Sequence, residues 1–168
     1  MVTAATKHLI PVLVAVAVHE LGHIFAMLAL GIKISTWKSR FWGMKISADF
    51  SESSYAKELA VILAGSGADL LFAFLLRNLD GYSYAALSYG IFNLLPAHFL
   101  DGGEALRLFL LMVGIEPASV RTLSRGFTLA VTVFVWIFSV YFALKGIGGA
   151  LLVTVFYMMI SCFFDKNY

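Results

Sequence analysis

The chain has 168 residues, of which 61% are hydrophobic and 13% are charged, and its formal net charge is +2. Soluble domains contain roughly 45–50% apolar and about 25% charged residues, and disordered chains are more polar still, so the composition argues against both classes. A helix needs roughly 20 apolar residues to cross a bilayer. With a mean hydropathy of +0.89, the sequence predicts an all-α polytopic membrane protein with about five to six transmembrane helices. The small net charge indicates no nucleic-acid partner.

The first apolar run covers residues 8–32 and is predicted to be the first span. In the polar stretch that follows, apolar and polar residues alternate around positions 32–36 and again around positions 44–48. A period of two over short runs is typical of strands. The aromatic residues between the two runs suit the membrane–water interface; they are Trp37, Phe41 and Trp42. We therefore predict a small membrane-associated β-hairpin after the first span.

Further apolar segments follow, and we assign spans to residues 59–76, 82–95, 127–144 and 147–164. Proline removes a backbone donor and breaks a helix, so Pro96 ends the third span. Helix is expected to resume after Asp101-Gly102-Gly103 and to continue to residue 113. The polar residues 116–125 are predicted to form a connector.

The chain is predicted to be a single domain over residues 1–168, with a catalytic core at about 8–113 and accessory spans at about 127–164. If the first loop is cytoplasmic, nine of the twelve Lys and Arg residues lie on that side, and only Lys7, Arg77 and Lys145 lie outside. Lys and Arg are enriched in cytoplasmic loops. This bias predicts a multi-pass protein of the plasma membrane, with an external N-terminus and a cytoplasmic C-terminus.

The first span contains the sequence His19-Glu20-Leu21-Gly22-His23. Residues four apart share a helix face, so both imidazoles can reach one metal ion, and a glutamate beside them can act on a metal-bound water. Ionisable residues at the bilayer centre cost roughly 2.5–3.5 kcal/mol each. Three of them in one apolar helix therefore favour a metal site over a hydrogen-bonded polar cluster, which is the alternative.

A catalytic zinc needs a third protein ligand and one open position. The candidates at membrane depth are Asp69, His98 and Asp101. Asp101 follows a helix break, and irregular backbone is tolerated at membrane depth only where protein buries it or water reaches it. Asp101 could be a ligand, the N-cap of the next helix, or both. His98 could assist the site or merely line an aqueous entrance.

The His19–His23 motif, followed by Asn93, Pro96 and Leu100-Asp101-Gly102-Gly103, resembles the site-2 protease family of intramembrane zinc metalloproteases. Ala64-Gly65 resembles that family's second motif of small residues, and the layout is similar to the compact bacterial members, including the sporulation-type subgroup. The resemblance implies one Zn²⁺ bound by His19, His23 and Asp101, with Glu20 activating water. It further implies that Asn93 holds the substrate backbone and that the β region pairs with an extended substrate.

Two positions depart from the family pattern. Ser66 and Asp69 stand where the family often has Pro and Asn. Asp69 could be a polar partner near the site or a neutral, hydrogen-bonded carboxyl group.

The function expected from the resemblance is hydrolysis of membrane-spanning or membrane-tethered proteins within the lipid bilayer, with a possible regulatory membrane protein as a further partner. The alternative is a non-catalytic membrane metal-binding protein or a metal transporter. A transporter should offer ligands on several helices along a path, whereas this chain concentrates them in one site. A degenerate protease that binds without cutting is a third possibility, and the presence of Glu20 argues against it.

Overall fold

The computed structural model of the chain describes residues 2–32, 34–40, 43–48 and 54–145. The chain divides into two compact units, the first ending at Leu94 and the second beginning at Leu95. Apart from two short strands, every described element is a helix. The span predicted at residues 147–164 lies outside the described residues.

The first unit contains three helices and two strands: α1 (Val2–Ala29), β1 (Ile34–Arg40), β2 (Gly43–Ala48), α2 (Tyr55–Leu75) and α3 (Asp80–Asn93). Helix α1 ends at Ala29, and Gly31 just beyond it adopts a φ of 68° that a side chain would disfavour. The backbone N–H of Ile32 donates to the carbonyl of Met27, and that of Gly31 donates to Leu28. This pair of bonds is a Schellman motif, so the glycine in the sequence fixes the end of the first long helix.

Small residues let the three helices of this unit pack closely. Ala15, Ala73 and Ala86, one from each helix, are buried together. At Gly22 an added Cβ would lie 2.6 Å from the carbonyl oxygen of Ala64, so only glycine permits this approach of α1 to α2. Transmembrane helices associate through such small-residue contacts.

Strands β1 and β2 pair in antiparallel fashion, with Trp37 opposite Ile46 and an irregularity between Ile34 and Thr36. The pair falls in the stretch where the sequence alternates. Residues 41 and 42, between the strands, lie outside the described residues. The membrane-associated hairpin therefore stays a prediction.

The second unit contains α4 (Asp101–Met112) and α5 (Pro117–Leu144). The N-cap of α4 is Leu100, so the predicted N-cap role of Asp101 is wrong. Asp101 instead lies in the first helical turn, where the helix dipole favours a carboxylate.

The predicted connector at residues 116–125 is also wrong, because α5 begins at Pro117. Proline is favoured at the first helical position, and polar residues on an exposed helical turn cost little. Val120, Ser124, Thr128, Thr132 and Ser139 form the buried stripe of α5. The hydroxyl groups of Thr128 and Thr132 each donate to the backbone carbonyl four residues earlier, at 2.8 Å, so these polar groups are satisfied within the helix.

Three helical segments of the described chain are long and apolar enough to cross a membrane: Leu9–Ala29, Tyr55–Leu75 and Pro117–Leu144. Helices α3 and α4 have 14 and 12 residues and are shorter than these three segments. The three segments support the assignment to membrane proteins. The count of five to six spans stays a prediction.

Candidate metal centre

Helix α1 presents His19 and His23 on one face, as their spacing predicts. Their Nε2 atoms lie 3.1 Å apart, and the two rings meet edge to face at 84°. His19 is buried and His23 is partly buried. The ring nitrogens that point inward therefore converge on one place in the first unit.

The outward-facing nitrogens of both rings bond to α2. His23 Nδ1 lies 2.8 Å from the backbone carbonyl oxygen of Val61, and because a carbonyl only accepts, Nδ1 must carry the proton. His19 Nδ1 lies 2.8 Å from Oδ2 of Asp69, where a carboxylate accepts in the same way. These bonds make Nε2 the electron-pair donor of each ring. Because the two Nε2 lone pairs point toward each other, a cation bound by both nitrogens would stabilise this arrangement.

Gly65 lies opposite the two imidazoles on α2. A Cβ at this position would overlap Nε2 of His23 and would lie 2.6 Å from its Cε1 and 2.9 Å from Cε1 of His19. Only a glycine leaves room for both rings here. Gly65 of the Ala64-Gly65 pair noted in the sequence therefore has a steric role beside the histidine pair.

Helix α3 closes the same side of the site. The ring of Tyr89 packs edge-on against His19, with centroids 5.1 Å apart. One turn further along, the side-chain amide of Asn93 donates to the backbone carbonyl of Tyr89 at 3.1 Å, and Asn93 is buried. The predicted substrate-holding residue is thus anchored on its own helix, and its role in binding substrate stays a prediction.

Glu20 lies next to His19 on α1, and its side chain is half-buried. Successive helical residues are about 100° apart around the axis, so Glu20 projects beside the histidine face and not within it. This placement suits a group that acts on a bound water and does not itself hold the metal.

Asp101 belongs to the second unit, where it is half-buried at the start of α4. The irregular segment before it is held by α5, since the backbone N–H of His98 donates to Oγ1 of Thr128 at 3.0 Å. Gly103 lies directly against the carbonyl group of Ala97, so the turn and the first turn of α4 are tightly packed. Asp101 as a metal ligand stays a prediction.

The histidine pair fits a zinc ion. Zinc–nitrogen bonds of 2.0–2.1 Å at a tetrahedral angle place two ligand nitrogens roughly 3.3 Å apart, and the two Nε2 atoms are separated by 3.1 Å. Metal-bound histidines generally donate the other ring N–H to a carboxylate or a backbone carbonyl. Both kinds of partner are present, Asp69 for His19 and Val61 for His23.

The fold matches a solved structure, the site-2 protease from Methanocaldococcus jannaschii. The match has a TM-score of 0.67 and 21% sequence identity, and it covers 95% of this chain and 77% of that chain. The chain has the site-2 protease fold. The resemblance predicted from the sequence motifs is therefore confirmed at the level of the fold. No protein-family model matches the sequence, and no curated protein matches it significantly.

Sequence reasoning left the partner of Asp69 undecided, although a signal was present. Val61, Gly65 and Asp69 are spaced four apart on α2, the same spacing as His19 and His23 on α1. The order of the contacts, His23 with Val61 and His19 with Asp69, is that of two antiparallel helices. The spacing does not match one to one, because the two histidines are four residues apart and their partners are eight apart.

Proposed function

We propose that this chain is an intramembrane zinc metalloprotease, which hydrolyses peptide bonds of membrane-spanning or membrane-tethered proteins. The observation that carries the proposal is the convergence of His19 and His23 Nε2 atoms at 3.1 Å in a helix able to cross a membrane. Glu20 lies between them in sequence. The site-2 protease fold supports the same class of enzyme.

The proposed ligands of one Zn²⁺ per chain are His19, His23 and Asp101. The two imidazoles supply neutral nitrogen donors, and Asp101 supplies a carboxylate oxygen of the kind that completes three-ligand catalytic sites. Support for Asp101 comes from the Asp-Gly-Gly motif in the sequence and from its position after an irregular turn. Three protein ligands leave one position for water.

When bound, zinc polarises the scissile carbonyl and lowers the pKa of water toward about 7. The side chains of the protein transfer the protons and orient the ligands. A Glu20 carboxylate oxygen accepts a proton from the attacking water and afterwards delivers it to the leaving amine nitrogen. The Val61 carbonyl holds the imidazole of His23 in one tautomer throughout, since it accepts from Nδ1–H. Glu20 is thus the proposed general base and acid.

The substrate helix must unwind before cleavage, because its carbonyls are hydrogen-bonded and sterically closed. Strands β1 and β2 form a two-stranded sheet, and among the described residues each strand pairs only with the other. An extended segment can bind to the edge of such a sheet by β-augmentation. We assign substrate capture to this hairpin, with Asn93 as a second contact to the substrate backbone.

The setting of the enzyme follows from the same proposal. It is a multi-pass protein of the plasma membrane with about five to six spans, an external N-terminus and a cytoplasmic C-terminus. Its partners are the lipid bilayer, a membrane protein substrate and a possible regulatory membrane protein. Cleavage releases a regulatory fragment of the substrate.

Co-expression with tagged candidate membrane proteins tests the proposal in cells. The wild-type chain is expected to generate a shortened tagged product, and Glu20→Gln is expected to abolish it at equal expression. A metal transporter would instead move zinc equally well with either residue and would leave every tagged protein intact. That outcome would refute the proposed protease.

A further inference from the structure

The inference concerns Asp69 of α2, a residue to which neither the motif nor the proposed reaction assigns a role. Its side chain is fully buried, and Oδ2 lies 2.8 Å from Nδ1 of His19. We propose that Asp69 is a positioning residue that orients His19 as a zinc ligand and strengthens its bond to the metal. The inference rests on the proposed function only as far as zinc binding at the histidine pair.

A purely structural role explains Asp69 poorly. Burying a carboxylate is costly unless it is paired and hydrogen-bonded. In the described ranges its partner is His19, and Oδ1 of Asp69 is buried without a hydrogen-bond partner. An apolar residue would fill this place at lower cost. A cation bound at the far nitrogen of His19 supplies the missing positive charge, and this is the carboxylate–histidine–zinc arrangement of many metal sites.

The surroundings of Asp69 exclude water from this contact. At Gly90 of α3 an added Cβ would lie 2.8 Å from Cβ and 3.5 Å from Oδ2 of Asp69, so the helix backbone covers the carboxylate. Tyr89 covers the edge of the His19 ring. Hydrogen bonds are electrostatically stronger in such a low-dielectric interior. The carboxylate therefore acts on His19 with little screening.

The two histidines are consequently unequal ligands. His23 donates its Nδ1–H to a neutral carbonyl, whereas His19 donates to a carboxylate. A carboxylate partner raises the basicity of the metal-bound imidazole more than a neutral acceptor does. Members of the family that the sequence resembles often have Asn at this position, where this chain has Asp.

The test is the zinc affinity of the purified full chain in detergent, measured by competition with a chelator of known affinity. Asp69→Asn keeps the side-chain size and removes the charge, and we expect it to weaken zinc binding about 10- to 100-fold. Ser66→Ala is the matched control, because Ser66 is equally buried on the same helix and its Oγ has no hydrogen-bond partner among the described residues. We expect its zinc affinity to equal that of the wild type. Equal affinities of Asp69→Asn and the wild type would overturn the inference.

Two spectroscopic readouts separate positioning from a structural role. Cobalt substitution is expected to give a shifted visible absorption spectrum in Asp69→Asn, while the thermal unfolding of the metal-free variant matches the wild type. Nitrogen-15 NMR of histidine-labelled wild type, without metal, is expected to show His19 protonated at Nδ1. Protonation of His19 at Nε2 would overturn the inference even if the variant fails to fold. Since neither readout uses cleavage, a chain that binds zinc but cuts nothing would refute the proposed protease and leave this inference standing.

Discussion

Gly65 of α2 lies directly against the imidazole of His23, so closely that a methyl group at this position would overlap the ring. The contact explains why a glycine faces the two histidines. It also makes the proposed metal site sensitive to one added carbon atom on a neighbouring helix.

Gly65→Ala is therefore expected to displace the imidazoles and to weaken zinc binding by about tenfold or more, as disturbed ligand orientation does at other zinc sites. Gly67→Ala is the matched control. It lies two residues away on the same helix, and a Cβ there meets nothing within 4 Å, so zinc affinity should be unchanged. Chelator competition measures both variants. Wild-type affinity in Gly65→Ala would show that the imidazole pair does not bind the metal in the described geometry.

The second prediction is a zinc content of about one ion per chain, the value for a three-ligand catalytic site. The double variant His19→Ala, His23→Ala should lose the ion. Asp101→Ala should bind the ion more weakly but not lose it, because the variant removes one proposed ligand and keeps the two imidazoles. His8→Ala, which changes a histidine outside the pair, should retain full zinc content. Elemental analysis of the purified proteins gives the ratios, and full retention of zinc in the double variant would remove the histidines from the site.

The third prediction concerns topology. Nine of the twelve Lys and Arg residues lie on the side of the first loop in the proposed arrangement, and this bias orients membrane proteins. A reporter inserted at Gly81 should be external, and one fused after Tyr168 should be cytoplasmic. Paired fusions to alkaline phosphatase and a fluorescent protein measure each site. The opposite pattern would contradict the proposed orientation.

The fourth prediction tests the hairpin as the place of substrate capture. Proline lacks a backbone donor and is tolerated in a strand only where no ladder bond is needed. Single prolines at Ile46, Ser47 and Ala48 of β2 should lower cleavage in an alternating pattern, because successive N–H groups point to opposite sides of the strand. Zinc content should stay normal. Ile46→Ala and Ser47→Ala are the controls and should be milder. Unchanged cleavage in all three proline variants would leave Asn93 as the remaining proposed substrate contact.

The helix that pairs His19 with His23 could be predicted from the sequence because its signal is local. His19 and His23 are one turn apart in an apolar run, and a helix of any orientation brings them together. The end of α1 is local as well, since Gly31 permits the positive φ that closes it. The four-residue spacing brings the histidines together, and the glycine permits the turn that ends the helix; neither feature depends on how helices pack.

The partner of Asp69 could not be predicted in the same way, because it depends on how two helices pack. Val61 and Asp69 lie on one face of α2, but they contact the histidines only because α2 packs antiparallel to α1. The start of α5 was missed for a different reason. Polarity at residues 116–125 indicated a connector, whereas Pro117 begins a helix whose first turns are exposed.

The most direct test of the proposed protease is cleavage of a membrane-spanning substrate in lipid vesicles by the wild type and by Glu20→Gln. The amide has nearly the shape of the carboxyl group but cannot accept the proton from water, so the cleavage rate should fall by about 10²–10⁴-fold. Zinc content should be equal in the two proteins. Cleavage by Glu20→Gln at the wild-type rate would contradict the account.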